Sequence, residues 1–197
     1  MRLQQGDSGV AILFASDEAG VLQQLVHQLV MLLESHSSVP RDPDPLFARL
    51  EIGGGEEAPT DPALARLFPD AFADSDDAAS FRRVTEQGLV NRKLQDAEQV
   101  MADLRAPGSA PRRTGDDEPT ADGPTTAVTI TPDSFLAWAR TVTALRLAMA
   151  ARIGLEREAD YDRLIDDPAT RGTVLVYDWL AALLDAVLAL SNVRTEE

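Results

Sequence analysis

The side chains of this chain that could do chemistry are few and poorly grouped. The only histidines, His27 and His36, stand nine residues apart in what reads as one helix. That separation puts them on different faces, so they do not build a metal site and read as exposed. Carboxylates are abundant, as in Asp74 to Asp77, Asp116 to Glu118 and Asp166-Asp167. These runs lack the alternating ligands and central glycine of a calcium loop, and they read as solvated charge. Gly53-Gly54-Gly55 lacks the lysine and hydroxyl residue of a phosphate loop and reads as a flexible connection. The sequence contains no cysteine, which removes disulfides, thiolate metal sites, thiol nucleophiles and cysteine redox switching. No catalytic, cofactor-binding or metal-binding residue is assigned and no enzymatic activity is expected. An enzyme using carboxylates and Arg146 is the least favoured reading.

What remains is recognition. Ala78 to Gln95 holds Arg82, Arg83, Arg92 and Lys93 against the single acid Glu86, the one basic concentration in a chain with 18 basic and 33 acidic residues and a formal net charge of -15. The bland reading pairs Arg82 with Glu86 at i,i+4 and the others with surface acids. The functional reading is a docking surface for an acidic partner protein. Phe68 and Phe72, beside Pro69, read with Leu64 and Leu67 as core anchors, or else as a preorganised partner-binding ridge. Arg146 sits on a largely apolar helix and needs a carboxylate, for which Asp178 and Asp185 are the expected partners in a structural interhelical ion pair. An anion clamp is the second reading of Arg146.

The global charge repels phosphate backbones and anionic lipid surfaces, so direct nucleic-acid binding is not expected. No membrane association is expected either. Thr173 to Leu190 is nearly long enough to span a bilayer, but Asp178 and Asp185 would each cost roughly 2.5–3.5 kcal/mol near its centre. The N-terminus lacks the blocks of a secretion signal, and a cytoplasmic location is expected.

The elements that must position these residues follow from periodicity. The run Gly9 to Phe14 reads as a strand feeding a helix that starts at Ser16-Asp17-Glu18 and turns Leu22, Leu25, Val26, Leu29, Leu32 and Leu33 to one side. The pattern returns with the strand Ala127 to Ile130, the cap Thr131-Pro132-Asp133 and the face of Phe135, Trp138, Val142, Leu145, Met149 and Ile153. The two strands are expected to pair, since isolated strands leave backbone groups unsatisfied. Short helices are expected near Pro45 to Leu50 and from Asp61 to Leu67, and a long one from Asp76 to Leu104. In that long helix Phe81, Val84 and Gly88 lie roughly 140° from Val90, Leu94, Ala97, Met101 and Leu104, at about 100° per residue. The first set is expected to pack on the domain and the second on another helix or protomer. A last helix, from Pro168 to Gly172 through Ser191, is apolar nearly all round and is expected to share the bundle centre with the Trp138 helix. It also leaves room for a homodimer. Residues 106–126, rich in Pro, Gly, Ser, Thr and Asp, read as a flexible acidic insert. The whole, residues 1–197, is expected to be a single, mainly α domain: a bundle of about five to seven helices with a small two-stranded antiparallel β element.

The run Asp61-Pro62-Ala63-Leu64-Ala65-Arg66-Leu67-Phe68-Pro69-Asp70-Ala71-Phe72, followed by Phe81-Arg82-Arg83-Val84-Thr85-Glu86 and later by Trp138, Arg146 and Trp179, resembles an actinobacterial family of unknown function. That family includes the AosR-like oxidative-stress transcriptional regulators. The resemblance spans nearly the whole chain and rests on architectural motifs more than chemical ones. It implies a non-enzymatic regulatory protein acting through protein contacts, with a sigma factor as partner. Alternatively it implies an adaptor or scaffold linked to ClpS-type proteolysis or to sulfur-carrier-dependent cysteine synthesis. The redox sensing described for some members relies on a closely spaced cysteine pair near the N-terminus. No such pair is present in this sequence.

Overall fold

In the computed structural model, residues 2–6, 9–37, 57–106 and 125–192 are described. They form strands β1 (Arg2–Gly6), β2 (Gly9–Ala15) and β3 (Thr125–Ile130), and helices α1 (Ser16–His36), α2 (Pro62–Leu67), α3 (Ser75–Arg105), α4 (Phe135–Ile153), α5 (Asp160–Asp166) and α6 (Arg171–Asn192). The fold is mainly α. The helix expected near Pro45 to Leu50 lies outside the described residues, as do residues 107–124 of the expected insert. The remainder of that insert ends earlier than the sequence suggests, because Thr125 and Thr126 already belong to β3.

β2 and β3 pair antiparallel with Ile12 opposite Val128 and Phe14 opposite Thr126. Period-two alternation sends Ile12, Phe14, Val128 and Ile130 into the core on one face. The pairing is the one expected between the two short strands, and β1 adds a third strand on the free edge of β2, in the order β1-β2-β3. Phe14, Leu22 and Leu29 of the first strand-then-helix unit and Ile130, Trp138 and Leu145 of the second are all buried.

Local chemistry sets the helix ends. Glu18 accepts the Ala15 backbone N–H at 2.8 Å, fastening the start of α1. Asp61 caps α2 by accepting from the N–H groups of Ala63 and Leu64 at 2.8 and 3.1 Å, with Pro62 at the first helical position. Asp74 does the same for α3. Helix α4 begins later than the Thr131-Pro132 pair suggests. Thr131 and Ser134 bond each other across an intervening turn, and regular helix starts at Phe135. Helix α4 ends at Gly154, whose φ of 71° lies in the left-handed region that glycine reaches without strain. The N–H of Leu155 then closes on the Ala150 carbonyl at 2.8 Å, turning the chain sharply toward α5.

The hub of the bundle is α4, which packs against α1, α2, α3 and α6. Its alanines Ala137, Ala144, Ala148 and Ala150 are buried, and side chains this small let neighbouring helices approach closely. Trp138 is fully buried and donates its indole N–H to Asp103 of α3 at 2.7 Å. The expectation that α6 shares the centre needs correction. Val174, Leu180, Leu183 and Val187 face inward, but Leu175 and Leu188 are exposed, so α6 flanks α4 at the margin. Among the described residues, Arg171–Ala189 is the one stretch of helix long and apolar enough to cross a membrane by length and composition. Trp179 ties α6 to the sheet corner, with its ring edge to Phe14 and its N–H 3.3 Å from Glu18.

Candidate functional site

Helix α3 runs unbroken for 31 residues and carries most of the recognition candidates. Its second half packs on other helices, α1 and α4, as expected, but the facing of its first half is not the expected one. The side bearing Val90, Leu94, Ala97, Val100 and Leu104 packs on the domain, and toward the N-terminus that same side carries Arg82, Glu86 and Gln87, all buried. Phe81 and Val84 therefore face outward. The polar groups are tolerated inside because they satisfy one another. Arg82 engages Asp70 through one guanidinium nitrogen, while its Nε lies 3.2 Å from Glu86 Oε2 as an ion contact outside hydrogen-bond geometry. The other Glu86 oxygen meets His36 Nε2 at 2.7 Å. Gln87 donates to Ser37 and to Asn91, at 3.0 and 2.9 Å. A helix face that would otherwise be costly to bury becomes a polar seam between α1 and α3.

This seam revises several assignments. Arg82 is not a docking residue, because it is held inside by carboxylates from two directions. Phe68 is a core residue, 4% exposed, and its ring carries His36 on one contact and the Lys93 ammonium, 5.8 Å from its centroid, on another. His36 is part-buried in the seam rather than an exposed bystander, whereas His27 is exposed as expected. Burial lowers the pKa of Lys93, with Asp96 opposing the effect. Burial likewise raises that of Asp96, which Arg140, Arg92 and Lys93 draw back down. Arg83 and Arg92 are exposed. So is Phe72, whose ring meets Phe81 edge to face at 5.6 Å. The structure thus leaves a surface ridge of Phe72, Phe81 and Val84, with Arg92 on the same outward arc of α3, while the exposed Arg83 is turned roughly 160° from Phe81 around the helix.

A second region borders α4 itself. A cleft of about 590 Å³ opens between α2, α4, α5 and α6, with Arg66, Arg146, Tyr177, Tyr161 and the segment Leu155 to Glu158 in its walls. The expected pairing of Arg146 with Asp178 or Asp185 does not form. The guanidinium instead lies over the Tyr177 ring, 4.5 Å from its centroid, and its buried Nε has no hydrogen-bond partner. The reason is local: Asp178 accepts the Tyr161 hydroxyl at 2.6 Å, and Asp185 points to solvent. That bond is also the main cause of the raised Tyr161 pKa, with burial adding to it. Helix α5, seven residues dominated by charge, was not legible in the sequence, so neither was Tyr161 as the competitor. Asp160 accepts from the N–H groups of Arg157 and Glu156, at 3.0 and 3.3 Å, which fixes the lip of the cleft. The Arg157 backbone bond is the largest cause of the lowered Asp160 pKa. Among the described residues no three of His, Asp or Glu are grouped to hold a metal ion.

A Mycobacterium leprae protein (strain TN), named as a candidate oxidative stress regulator, AosR, is 32% identical over 182 residues, covering 89% of this chain and 80% of the relative. No solved structure matches. The family described as a domain of unknown function, DUF2017, matches residues 1–190, so the chain belongs to the DUF2017 family.

Proposed function

We propose that this chain is a non-enzymatic regulatory protein of the oxidative-stress response that works in the cytoplasm by contacting another protein. A sigma factor is the partner this reading favours. The observation carrying it is the inverted N-terminal half of α3 and the segment before it: three large apolar side chains, Phe72, Phe81 and Val84, stand at 50%, 43% and 61% exposure while Arg82 and Glu86 are buried. Exposed aromatic residues over a rigid support are what partner surfaces use as anchors, and Arg92 would add attraction for an acidic partner. The name of the Mycobacterium leprae relative, an oxidative stress regulator candidate, supports the reading. With no cysteine in the chain, such regulation would have to run through contact rather than thiol chemistry.

The test is capture of purified host sigma factors by the full chain, compared with a Phe72→Ser/Phe81→Ser variant. Capture that falls at least about tenfold while the melting temperature holds supports the ridge. Unchanged capture, or exclusive capture of ClpS-type protease or cysteine-synthesis subunits, defeats the regulatory reading, the latter in favour of an adaptor. Arg82→Ala is unsuitable here because it would damage the fold.

A further inference from the structure

We propose that the cleft between α2, α4, α5 and α6 binds a small metabolite through a carboxylate or phosphate group, with Arg146 as its anchor and Arg66 and Arg157 closing on the same charge. The chain carries 33 acidic residues. Even so, among the described residues no carboxylate lies within 4.0 Å of any of these three guanidinium groups, whereas Arg82, Arg140, Arg152 and Arg163 each have one. Glu156, Glu158 and Asp162 balance the three arginines in the lining, and Arg157 lowers the Asp160 pKa through its charge as well as, more strongly, its backbone N–H. What marks the cleft is therefore the lack of a close carboxylate partner, above all at Arg146, and not a surplus of positive charge.

The geometry around Arg146 keeps it available. The Tyr177 ring lies under the guanidinium, and the Tyr161 hydroxyl occupies Asp178, the residue that follows Tyr177 in α6. Stacking on a ring leaves the guanidinium edge, with its forked donors, to meet an oxyanion in the cleft. The buried, unbonded Nε adds a donor whose desolvation is uncompensated until an acceptor arrives. A volume of about 590 Å³ lies within the range of small-molecule sites. The walls are prearranged: the left-handed Gly154 turn and the Asp160 bonds hold Arg157 at the lip.

The acids decide the size of the ligand. Glu156, Glu158 and Asp162 also line the cleft and are exposed. They would repel an extended polyanion such as nucleic acid or an anionic membrane, while a compact ligand with one anionic head passes them, and a cationic group on it would be welcomed. The ligand class is therefore a small acid or phosphate ester.

The experiment is calorimetric titration of the full chain at constant ionic strength with inorganic phosphate and, separately, succinate, with chloride as the control. Saturable binding of either probe is expected, phosphate and succinate telling the two head groups apart. Arg146→Gln should weaken it at least about tenfold, and Arg157→Gln severalfold. If Arg146→Gln fails to fold, the exposed Arg66→Gln and Arg157→Gln variants decide alone. Binding no better than chloride, affinity unchanged in the arginine variants, or binding only of a poly-glutamate peptide would overturn the proposal. The Phe72→Ser/Phe81→Ser variant should bind the probes normally, so this outcome is independent of the partner ridge.

Discussion

Arg82 and Arg146 are the same residue type on neighbouring core helices, and each came from a helix face where a charge is unwelcome. Arg82 is clasped by Asp70 and Glu86 and nine-tenths removed from solvent. Arg146 rests on a tyrosine ring with no carboxylate beside it. The difference lies in the company each keeps. Glu86, one helical turn from Arg82, also binds His36 and so closes a seam between α1 and α3, while the acid nearest Arg146 in sequence of α6 is taken by Tyr161. A satisfied buried arginine is part of the scaffold. An unsatisfied one at a cavity wall is available to something else.

Substitutions separate the two roles. Glu86→Ala should be the most damaging, because it strips both Arg82 and His36 of a buried partner. A loss of about 3 kcal/mol in urea unfolding is expected, and a loss below about 1 kcal/mol would show that the seam contributes little. Arg146→Met should cost less than about 1 kcal/mol, since it forfeits only a ring contact and keeps the apolar stem. A larger loss would make Arg146 structural and erase the contrast. The smallest effect is expected for Lys93→Met. Lys93 carries a folded-state pKa below its ordinary 10.5 because burial disfavours its charge, so at neutral pH the charged form weighs against folding and its removal should raise the urea midpoint slightly. The unfolded chain holds the proton longer, so native stability gains as pH rises from the folded value toward 10.5, and the advantage of the Met variant should fade across that window. A gain that persists to high pH would place its origin in packing.

Much of the scaffold was legible because its signals are local. The Asp61-Pro62 cap, the strand pair and the periodic faces of α1 and α4 depend on residues a few positions apart. The facing of α3 was not legible. Its apolar residues define two arcs, and which arc turns inward is settled by Asp70 and by His36, the latter 50 residues away in sequence from Glu86. Reading Phe81 and Val84 as core followed the ordinary preference for burying apolar groups, and the polar seam overrode it. Arg146 was recognised as a charge in need of company. Its actual surroundings were hidden because Tyr161 belongs to a helix too short and too charged to announce itself, and Arg66 and Arg157 line the same cleft only through the packing of α2 and the turn at Gly154.

The two tryptophans offer a way to watch this molecule with light. Trp138, sealed in the core against Asp103, reports on the α3–α4 seam, whereas Trp179, partly open and edge-on to Phe14, reports on where α6 meets the sheet. Because the indoles differ in hydration, their emission maxima differ as well. Loosening of the marginal helix α6 by itself would redden and dim one component while the other kept its colour, so a single cuvette distinguishes local fraying from global unfolding.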